Sequence, residues 1–154
     1  MAGIASILRL RDNAKAVLDG VQGGSWCREC IDANTAEICD MNTEQQLYER
    51  GENALGVSIS DYMPYAPLTI DIKTMKGQPT DRVTLRDTGD FHESFFVRAD
   101  NDGFVIDATD WKREKLVNKY GRQIFGLTDE NKTYLAKEIL LPELINKTRQ
   151  TIWQ

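Results

Sequence analysis

The central segment of this sequence runs from Thr84 to Thr128, and its middle, residues 96–108, reads FVRADNDGFVIDA. Two short runs rich in Phe, Val and Ile lie on either side of Asn101-Asp102-Gly103. An Asp-Gly pair between two such runs is a strong signal for a tight β-hairpin. The centre of the chain is therefore predicted to be a small antiparallel sheet.

The residues before the hairpin predict a tight turn and then one turn of helix. Residues 87–89 read DTG, and the glycine accepts whatever positive φ the turn requires. Residues 90–94 can form a single helical turn, which places Phe91 and Phe95 on one side at positions i and i+4. The two rings are therefore expected to share one face of this segment.

Two helices are predicted after the hairpin. Thr109 is expected to cap a short helix from Asp110 to Tyr120, which Gly121 would end. Thr128 is a good N-cap for a long last helix, because its hydroxyl can accept backbone N–H groups and two acidic residues follow it. Pro142 should kink or restart this last helix. Its apolar stripe is predicted to consist of Leu135, Ile139, Leu140, Leu144, Ile145 and Ile152.

The first fifty residues predict helices that would form an N-terminal arm or a helical hairpin. Apolar residues from Ile4 to Leu18 recur at helical spacing, so a first helix should end near Asp19, before the glycines that follow. A second helix is expected from Trp26 to about Tyr48, with Ser25 as its N-cap, and Asn42 could cap a restart within it. Their modest amphipathicity is also compatible with an arm laid against a neighbouring subunit.

The segment between the two halves carries mixed signals. Residues 57–60 alternate apolar and polar side chains, which predicts a short strand. Met63 and Ala66 each precede a proline, so neither can be helical without strain. Residues 68–76 fit either a strand, from their alternation, or a short helix that ends at a glycine.

Length and composition favour one α+β domain covering residues 1–154. Residues 1–50 would be its helical N-terminal part, and residues 57–154 would contain a small antiparallel sheet and a long C-terminal helix. The apolar fraction is 41% and the charged fraction 28%, as in ordinary globular proteins. No run of apolar residues is long enough to span a membrane, and the N-terminus lacks the pattern of a secretory signal. The net charge of −5, without a Lys/Arg run, argues against a broad surface for nucleic-acid phosphates.

Three cysteines lie close together in the sequence, at Cys27, Cys30 and Cys39. They could supply three ligands to zinc, but a structural zinc site needs four, and the single histidine, His92, is distant in sequence. An odd number of cysteines fits a reducing compartment better than a disulfide scaffold. Buried thiols are the preferred interpretation, with no cofactor, and a metal site remains the alternative.

His92 lies among three carboxylates, Asp87, Asp90 and Glu93, which could suggest acid–base chemistry. No nucleophile is placed beside them, so these four side chains are interpreted as surface polar residues rather than a catalytic group.

Most of the remaining large aromatic side chains are expected in the core. They are Tyr62, Tyr65, Trp111, Tyr120 and Trp153. Trp153, near the end of the last helix, could equally pack on its own domain or contact a partner subunit.

Two segments resemble a known family. Residues 85–95, LRDTGDFHESF, and residues 121–130, GRQIFGLTDE, are similar to blocks of the tail-completion and neck proteins of long-tailed bacteriophages, a family of virion morphogenesis and head–tail joining proteins. The order of the blocks also matches, with a hairpin and a short helix between them. Gln123 stands where the family usually has proline, and the resemblance covers roughly the second half of the chain.

The resemblance implies a structural role rather than an enzymatic one. Proteins of this family are small α+β subunits that assemble into a ring, here expected to hold six or twelve copies, at the head–tail junction. The expected partners are further copies of this chain, the portal or its adaptor, and tail proteins, with DNA passing through the lumen and no membrane. The chain would be assembled in the host cytoplasm and would end in the virion.

The alternative function is a small intracellular metal-binding or protein-interaction module that uses Cys27, Cys30 and Cys39.

The interface candidates come from the two segments and the last helix. The interface candidates are Leu85, Asp87, Thr88, Gly89, Phe91, Ser94, Arg122, Phe125 and Trp153.

Overall fold

The protein, described by a computed structural model over residues 2–100 and 102–154, is mostly helical with one two-stranded antiparallel hairpin. Helices make up 64% of it, and the last long helix covers residues 129–152. The predicted α+β class, with N-terminal helices, a small antiparallel sheet and a long C-terminal helix, is confirmed.

The described residues form two compact units. The first contains those of 1–34, 99–104 and 134–154, and the second those of 35–98 and 105–133. The prediction of a single folding domain stays a prediction, since compactness alone does not say whether a unit folds by itself.

The first unit contains helix α1, Ala2–Gln22, and helix α2, Ser25–Ala33. The predicted end of α1 near Asp19 is wrong, because Gly20 stays within the helix and packs so closely on the Trp26 indole that a Cβ there would overlap it. The predicted N-cap Ser25 is also wrong, since Gly24, with φ of 73°, occupies that position. Gly24 adopts the left-handed conformation without the steric cost that a Cβ would bring.

The second predicted helix is broken after α2. Helix α3, Thr35–Asp40, follows Asn34 and runs directly into a π-helical stretch, Met41–Arg50. A side-chain N–H of Asn34 donates to the Cys30 carbonyl at 2.8 Å, which occupies a carbonyl that a continuing helix would use.

The predicted strand at residues 57–60 is wrong. Only one bridge, Glu52 with Ser58, forms there, and helix α4, Ile59–Tyr62, begins immediately afterwards. The Asn53 side-chain oxygen accepts the N–H groups of Leu55 and Val57 at 2.9 and 3.1 Å, so these residues form a turn and not a strand.

The ambiguous segment that follows is helical. Helix α5 is Pro67–Met75, with its proline in the first turn, where the missing N–H costs nothing. Ala66 is extended, with ψ of 151°, as expected for a residue before proline.

The centre of the chain folds as predicted. Helix α6 is Asp90–Glu93, and strands β1, Phe95–Ala99, and β2, Phe104–Ala108, pair antiparallel. At the tip the Asp100 N–H donates to the Gly103 carbonyl at 2.9 Å. Asn101, which was predicted as part of the turn, lies outside the described residues.

The short helix after the hairpin, α7, is Arg113–Tyr120, and it ends at Gly121 as predicted. Its predicted start is wrong, because the Asp110 carboxylate accepts the Lys112 N–H at 2.7 Å and forms a turn there. A single 3₁₀ turn, Arg122–Ile124, follows.

The last helix has three parts: α8, Asp129–Tyr134, a π-helical stretch, Leu135–Leu140, and α9, Leu141–Ile152. The predicted cap is confirmed, since the Thr128 hydroxyl accepts the Asn131 N–H at 3.3 Å. The restart near Pro142 is confirmed as well, because regular α-helix resumes at Leu141. Of the predicted apolar stripe, Leu135 is buried but Ile145 is exposed.

The most completely buried apolar side chains of the second unit are aliphatic and come from helices and loops along its length. These side chains are almost completely excluded from solvent. They are Ile38, Met41, Leu47, Ile59, Val83, Ile124 and Leu127.

Candidate functional site

The two segments that carry the family resemblance meet in an aromatic cluster of Phe91, Phe95 and Phe125. The Phe91 and Phe95 rings meet edge to face with centroids 5.1 Å apart, as their spacing predicts. The Phe125 ring lies 5.1 Å from Phe95 and 6.1 Å from Phe91. All three rings are buried, so the cluster packs the two segments on each other.

Asn42, on the π-helical stretch, fixes the backbone of the second segment. One of its amide N–H groups donates to the Ile124 carbonyl at 3.1 Å, and its oxygen accepts the Gly126 N–H at 2.9 Å. The prediction that Asn42 caps a restarted helix is therefore wrong. Its side chain is fully buried and forms hydrogen bonds with backbone groups more than 80 residues away in the sequence.

Gln46, one turn later, holds the next residues of the same segment. Its N–H donates to the Gly126 carbonyl at 2.9 Å. Its oxygen accepts the Thr128 N–H at 2.9 Å and the Asn131 side-chain N–H at 2.8 Å. Sequence reasoning gave Asn42 a different role and missed Gln46. Their spacing of four residues in a helical stretch, which places them on one face, is the signal that could have identified them.

The first segment is held by Lys73 of α5 and by Lys76, the residue that follows α5. The Lys73 ammonium donates to the Arg86 carbonyl at 2.9 Å, and the Lys76 ammonium pairs with the Asp87 carboxylate at 2.7 Å. The hydrogen bond from Lys76 is the main reason that the pKa of Asp87 is lower than usual. Gly89 has φ of 102°, which confirms the predicted positive φ in this turn.

Leu85 is the non-glycine residue of the described chain with positive φ, at 55°. A leucine in this region is uncommon and costs conformational energy. Its side chain is buried and, with Phe91, Leu116 and Tyr120, lines a half-open apolar cavity of about 160 Å³. The cost is therefore offset by burial within the chain's own core.

The prediction that His92 is a surface residue is wrong, because it is only 7% exposed. Its Nε2 lies 3.0 Å from the Thr84 carbonyl, which can only accept, so Nε2 carries the hydrogen. Nδ1 has no hydrogen-bond partner among the described residues. Burial lowers the pKa of His92 to about 4, and the positive charge of Arg86 acts in the same direction.

We expect the protein to lose stability as the pH falls from 6.5 towards 4. Below 6.5 the unfolded histidine takes up a proton, whereas the folded His92 stays neutral until about pH 4. Protonation therefore favours the unfolded state, by about 2 kcal/mol at pH 5. Urea unfolding at pH 7 and pH 5 measures this difference.

The matched control is His92→Gln, which removes the only imidazole of the sequence. Its stability should differ less between pH 7 and pH 5 than that of the natural chain. An equal loss in both proteins would show that other groups cause the pH dependence.

The interface candidates fall into two sets. Leu85, Gly89, Phe91 and Phe125 are buried and contact their own chain, so they position the segments from within. Ser94 is half-buried, and its hydroxyl donates to the Phe91 carbonyl at 2.8 Å. The role of these residues in an interface stays a prediction.

The other candidates lie at the surface. They are Asp87, Thr88, Arg122 and Trp153, and Trp153 is 80% exposed. Arg122 lies 3.8 Å from the Asp107 carboxylate, which is shared with a shorter two-point pair from Arg113 at 2.6 and 2.9 Å. Trp111, one of the aromatics expected in the core, is also exposed.

The thiols are free, and Cys30 is buried. Burial, and then a hydrogen bond with Glu143, raise the pKa of the Cys30 thiol to about 11, and burial also raises the pKa of Cys39. Thiols bind metal as thiolates, so these shifts oppose metal binding. Among the described residues, no three His, Cys, Asp or Glu side chains are grouped to hold a metal ion. The metal-binding alternative stays a prediction.

Two helices expose apolar residues at helical spacing. The sequence analysis did not say whether these residues would be buried or exposed. On α1 the exposed large aliphatic side chains are between 45% and 68% exposed. On α5 Leu68, Ile72 and Met75, at positions i, i+4 and i+7, are 69%, 44% and 85% exposed. We name these the α1 stripe and the α5 stripe. The α1 stripe consists of Ile4, Ile7, Leu8, Leu10, Leu18 and Val21.

None of the described helices is both long and apolar enough to cross a membrane. Comparison with models of known protein families, with curated proteins and with solved structures found no match.

Proposed function

We propose that this chain is a structural subunit of the virion of a tailed bacteriophage. It would form a ring at the head–tail junction, as a neck or tail-completion protein, and join the portal and its adaptor to the tail. The family resemblance of residues 85–95 and 121–130 supports this proposal. These two segments pack on each other through Phe91, Phe95 and Phe125, so they can act together as one structural unit.

The observation that carries an assembly role is the α1 stripe. Helix α1 has 21 residues and is therefore about 30 Å long, and large aliphatic side chains are exposed along it. Isolated exposed aliphatic residues are common, but groups of them on one helix, here Ile4 to Leu10 near its start and Leu18 with Val21 near its end, are typical of a protein–protein interface. In a subunit that functions only after assembly, such groups would be covered by a neighbouring subunit.

The charge of the chain suits a ring around DNA. Affinity for DNA depends on basic side chains that neutralise phosphates, and the net charge of this chain is −5. DNA that passes through a ring of such subunits would be bound weakly and could move.

The first test is the mass of the purified protein by light scattering across a range of concentrations, followed by electron microscopy of any large species. The expected result is a closed ring of six or twelve copies. A two-fold dimer that does not grow with concentration would contradict the ring.

The second test interrupts the gene in the virus that encodes the chain. Filled heads and complete tails should then accumulate without joining, and supplying the protein from a plasmid should restore whole particles. Normal joining of heads and tails without the protein would overturn the proposed function, whatever the purified protein does in solution.

A further inference from the structure

Helix α5 buries a lysine and exposes its large aliphatic side chains. Lys73 is only 8% exposed, whereas the three aliphatic side chains of the α5 stripe face solvent, with Met75 85% exposed. Surface helices normally bury their apolar stripe and expose their charges. In α5 a lysine is buried and the apolar stripe is exposed, so the packing of the second unit does not account for the α5 stripe.

The polar contacts of Lys73 hold α5 in this orientation. The buried Lys73 ammonium donates to the Arg86 carbonyl at 2.9 Å and to the Gln78 side-chain oxygen at 3.2 Å, and it lies 5.1 Å from the centre of the Tyr65 ring. Two of the three N–H donors of this ammonium are therefore hydrogen-bonded, and the Tyr65 ring lies beside it. Rotating α5 to bury its stripe would break these hydrogen bonds, so the stripe is a fixed feature of this surface.

Helix α1 shows a related arrangement in the first unit. It is attached to the end of α9 through a polar side chain, since the Asn13 amide donates to the Ile152 carbonyl at 3.3 Å. The most exposed members of the α1 stripe are Ile4 and Ile7, which with Leu8 stand at positions i, i+3 and i+4. They form a second apolar face that α9 does not cover.

We propose that the α1 stripe of one copy docks on the α5 stripe of the next copy. The inference rests on the proposed ring and names its subunit contact. A contact between two different faces is heterologous, and repetition of such a contact closes into a ring when the rotation allows it. A two-fold contact between two α1 stripes would leave every α5 stripe uncovered.

The charges beside the two stripes are complementary. Lys15 is exposed on α1 and stands three residues before Leu18 and seven after Leu8, so it lies on the same face of the helix, in the gap between Leu10 and Leu18. Asp71 is exposed on α5, three residues after Leu68 and four before Met75. Within the described part of the chain neither charge makes an ion pair, so both are free to meet across a contact between copies.

The two helices also differ in length in a way that suits this contact. Helix α5 has nine residues and is about 14 Å long, roughly half the length of α1. One α5 stripe can therefore cover about half of the α1 stripe. The remainder would meet other surfaces of the neighbouring copy.

The test mixes two assembly-defective variants. Ile7→Asp places a charge in the α1 stripe, and Met75→Asp places one in the α5 stripe. Because both positions are exposed, each variant should keep the circular dichroism spectrum of the natural chain. Each variant alone should bind its own kind at least about tenfold more weakly. An equal mixture should form one-to-one pairs, because one intact α1 stripe and one intact α5 stripe remain.

The control is Leu55→Asp, which places the same charge on an equally exposed aliphatic residue outside both stripes. It should assemble as the natural chain does. If Met75→Asp assembles normally, the α5 stripe is not the contact and the inference is overturned. If both variants fail and their mixture stays monomeric, the two stripes do not contact each other and the inference is again overturned.

A charge exchange supplies a second measurement. Lys15→Glu and Asp71→Lys should each weaken self-association a few-fold, and the double variant should restore it, because the pair is then reversed. A double variant weaker than either single variant would contradict the pairing.

The outcomes separate this contact from the proposed function. If closed rings form and none of these variants affects them, the proposed ring is supported and the proposed contact is wrong. If open fibres form and depend on both stripes, the contact is supported and the ring is wrong. A natural chain that stays monomeric at high concentration would overturn the contact, while the interrupted gene still tests the role in joining heads to tails.

Discussion

Replacing Gln46 with leucine should lower the free energy of unfolding by about 4 kcal/mol. The amide makes three buried hydrogen bonds, to Gly126, to Thr128 and to the side chain of Asn131. Leucine has a similar size but leaves a carbonyl, a backbone N–H and a side-chain amide without partners. Each buried group left unpaired costs about 1–3 kcal/mol.

Chemical unfolding followed by circular dichroism measures this change. The neighbouring Gln45→Leu is the matched control, because Gln45 is half-buried on the same stretch and its replacement should change stability by less than about 1 kcal/mol. Equal effects of the two replacements would mean that the hydrogen bonds of Gln46 are dispensable.

The elements that sequence reasoning predicted correctly depend on neighbouring residues. The hairpin is specified by a turn between two β-forming runs, and Thr128 caps a helix through a residue three positions away. The residue before Pro67 is extended for the same local reason. In each case, the groups whose interactions decide the conformation are only a few residues apart in the sequence.

The failures depend on distant contacts. Residues 57–60 alternate like a strand, but no second strand pairs with them in the described chain, and Ile59 is fully buried at the start of a helix. The helical register of residues 41–50 changes where α-helix becomes π-helix, and Asn42 and Gln46 face the core together. A period of 3.6 residues does not anticipate that change.

Polar residues in the core were the other failure. Both His92 and Lys73 were expected at the surface or left unassigned, because charged and polar groups prefer water. Each is buried with a hydrogen bond to a backbone carbonyl, that of Thr84 just before the first segment or that of Arg86 within it. Such a partner cannot be read from composition or periodicity. It is these buried polar groups that fix the conformation of the segment with the family resemblance.

The site residues illustrate the same division between local and distant information. The resemblance selected residues of both segments, and the structure separates them into buried ones, such as Phe91, and exposed ones, such as Asp87. The apolar spacing of α1 was visible in the sequence, but it could not say whether that face would be buried. The α5 stripe was hidden, because residues 68–76 fitted either a strand or a helix.

Replacing Phe95 with alanine should lower the free energy of unfolding by about 4 kcal/mol, because it leaves a cavity at the centre of the aromatic cluster. Phe95 contacts both Phe91 and Phe125 with centroids 5.1 Å away. The next residue, Phe96, points to the other face of β1 and is exposed. Its replacement by alanine should cost less than about 1.5 kcal/mol.

The comparison of Phe95→Ala with Phe96→Ala therefore tests whether the cluster joins the two segments, since the same side chain is removed from adjacent positions of one strand. A double-mutant cycle extends the test to the partner segment. The losses for Phe95→Ala and Phe125→Ala should not add, because the first replacement already removes the contact that the second would break. Additive losses would show that the rings are buried independently. The aromatic cluster would then not be what holds the two segments together, and a shared role for them in assembly would need another physical basis.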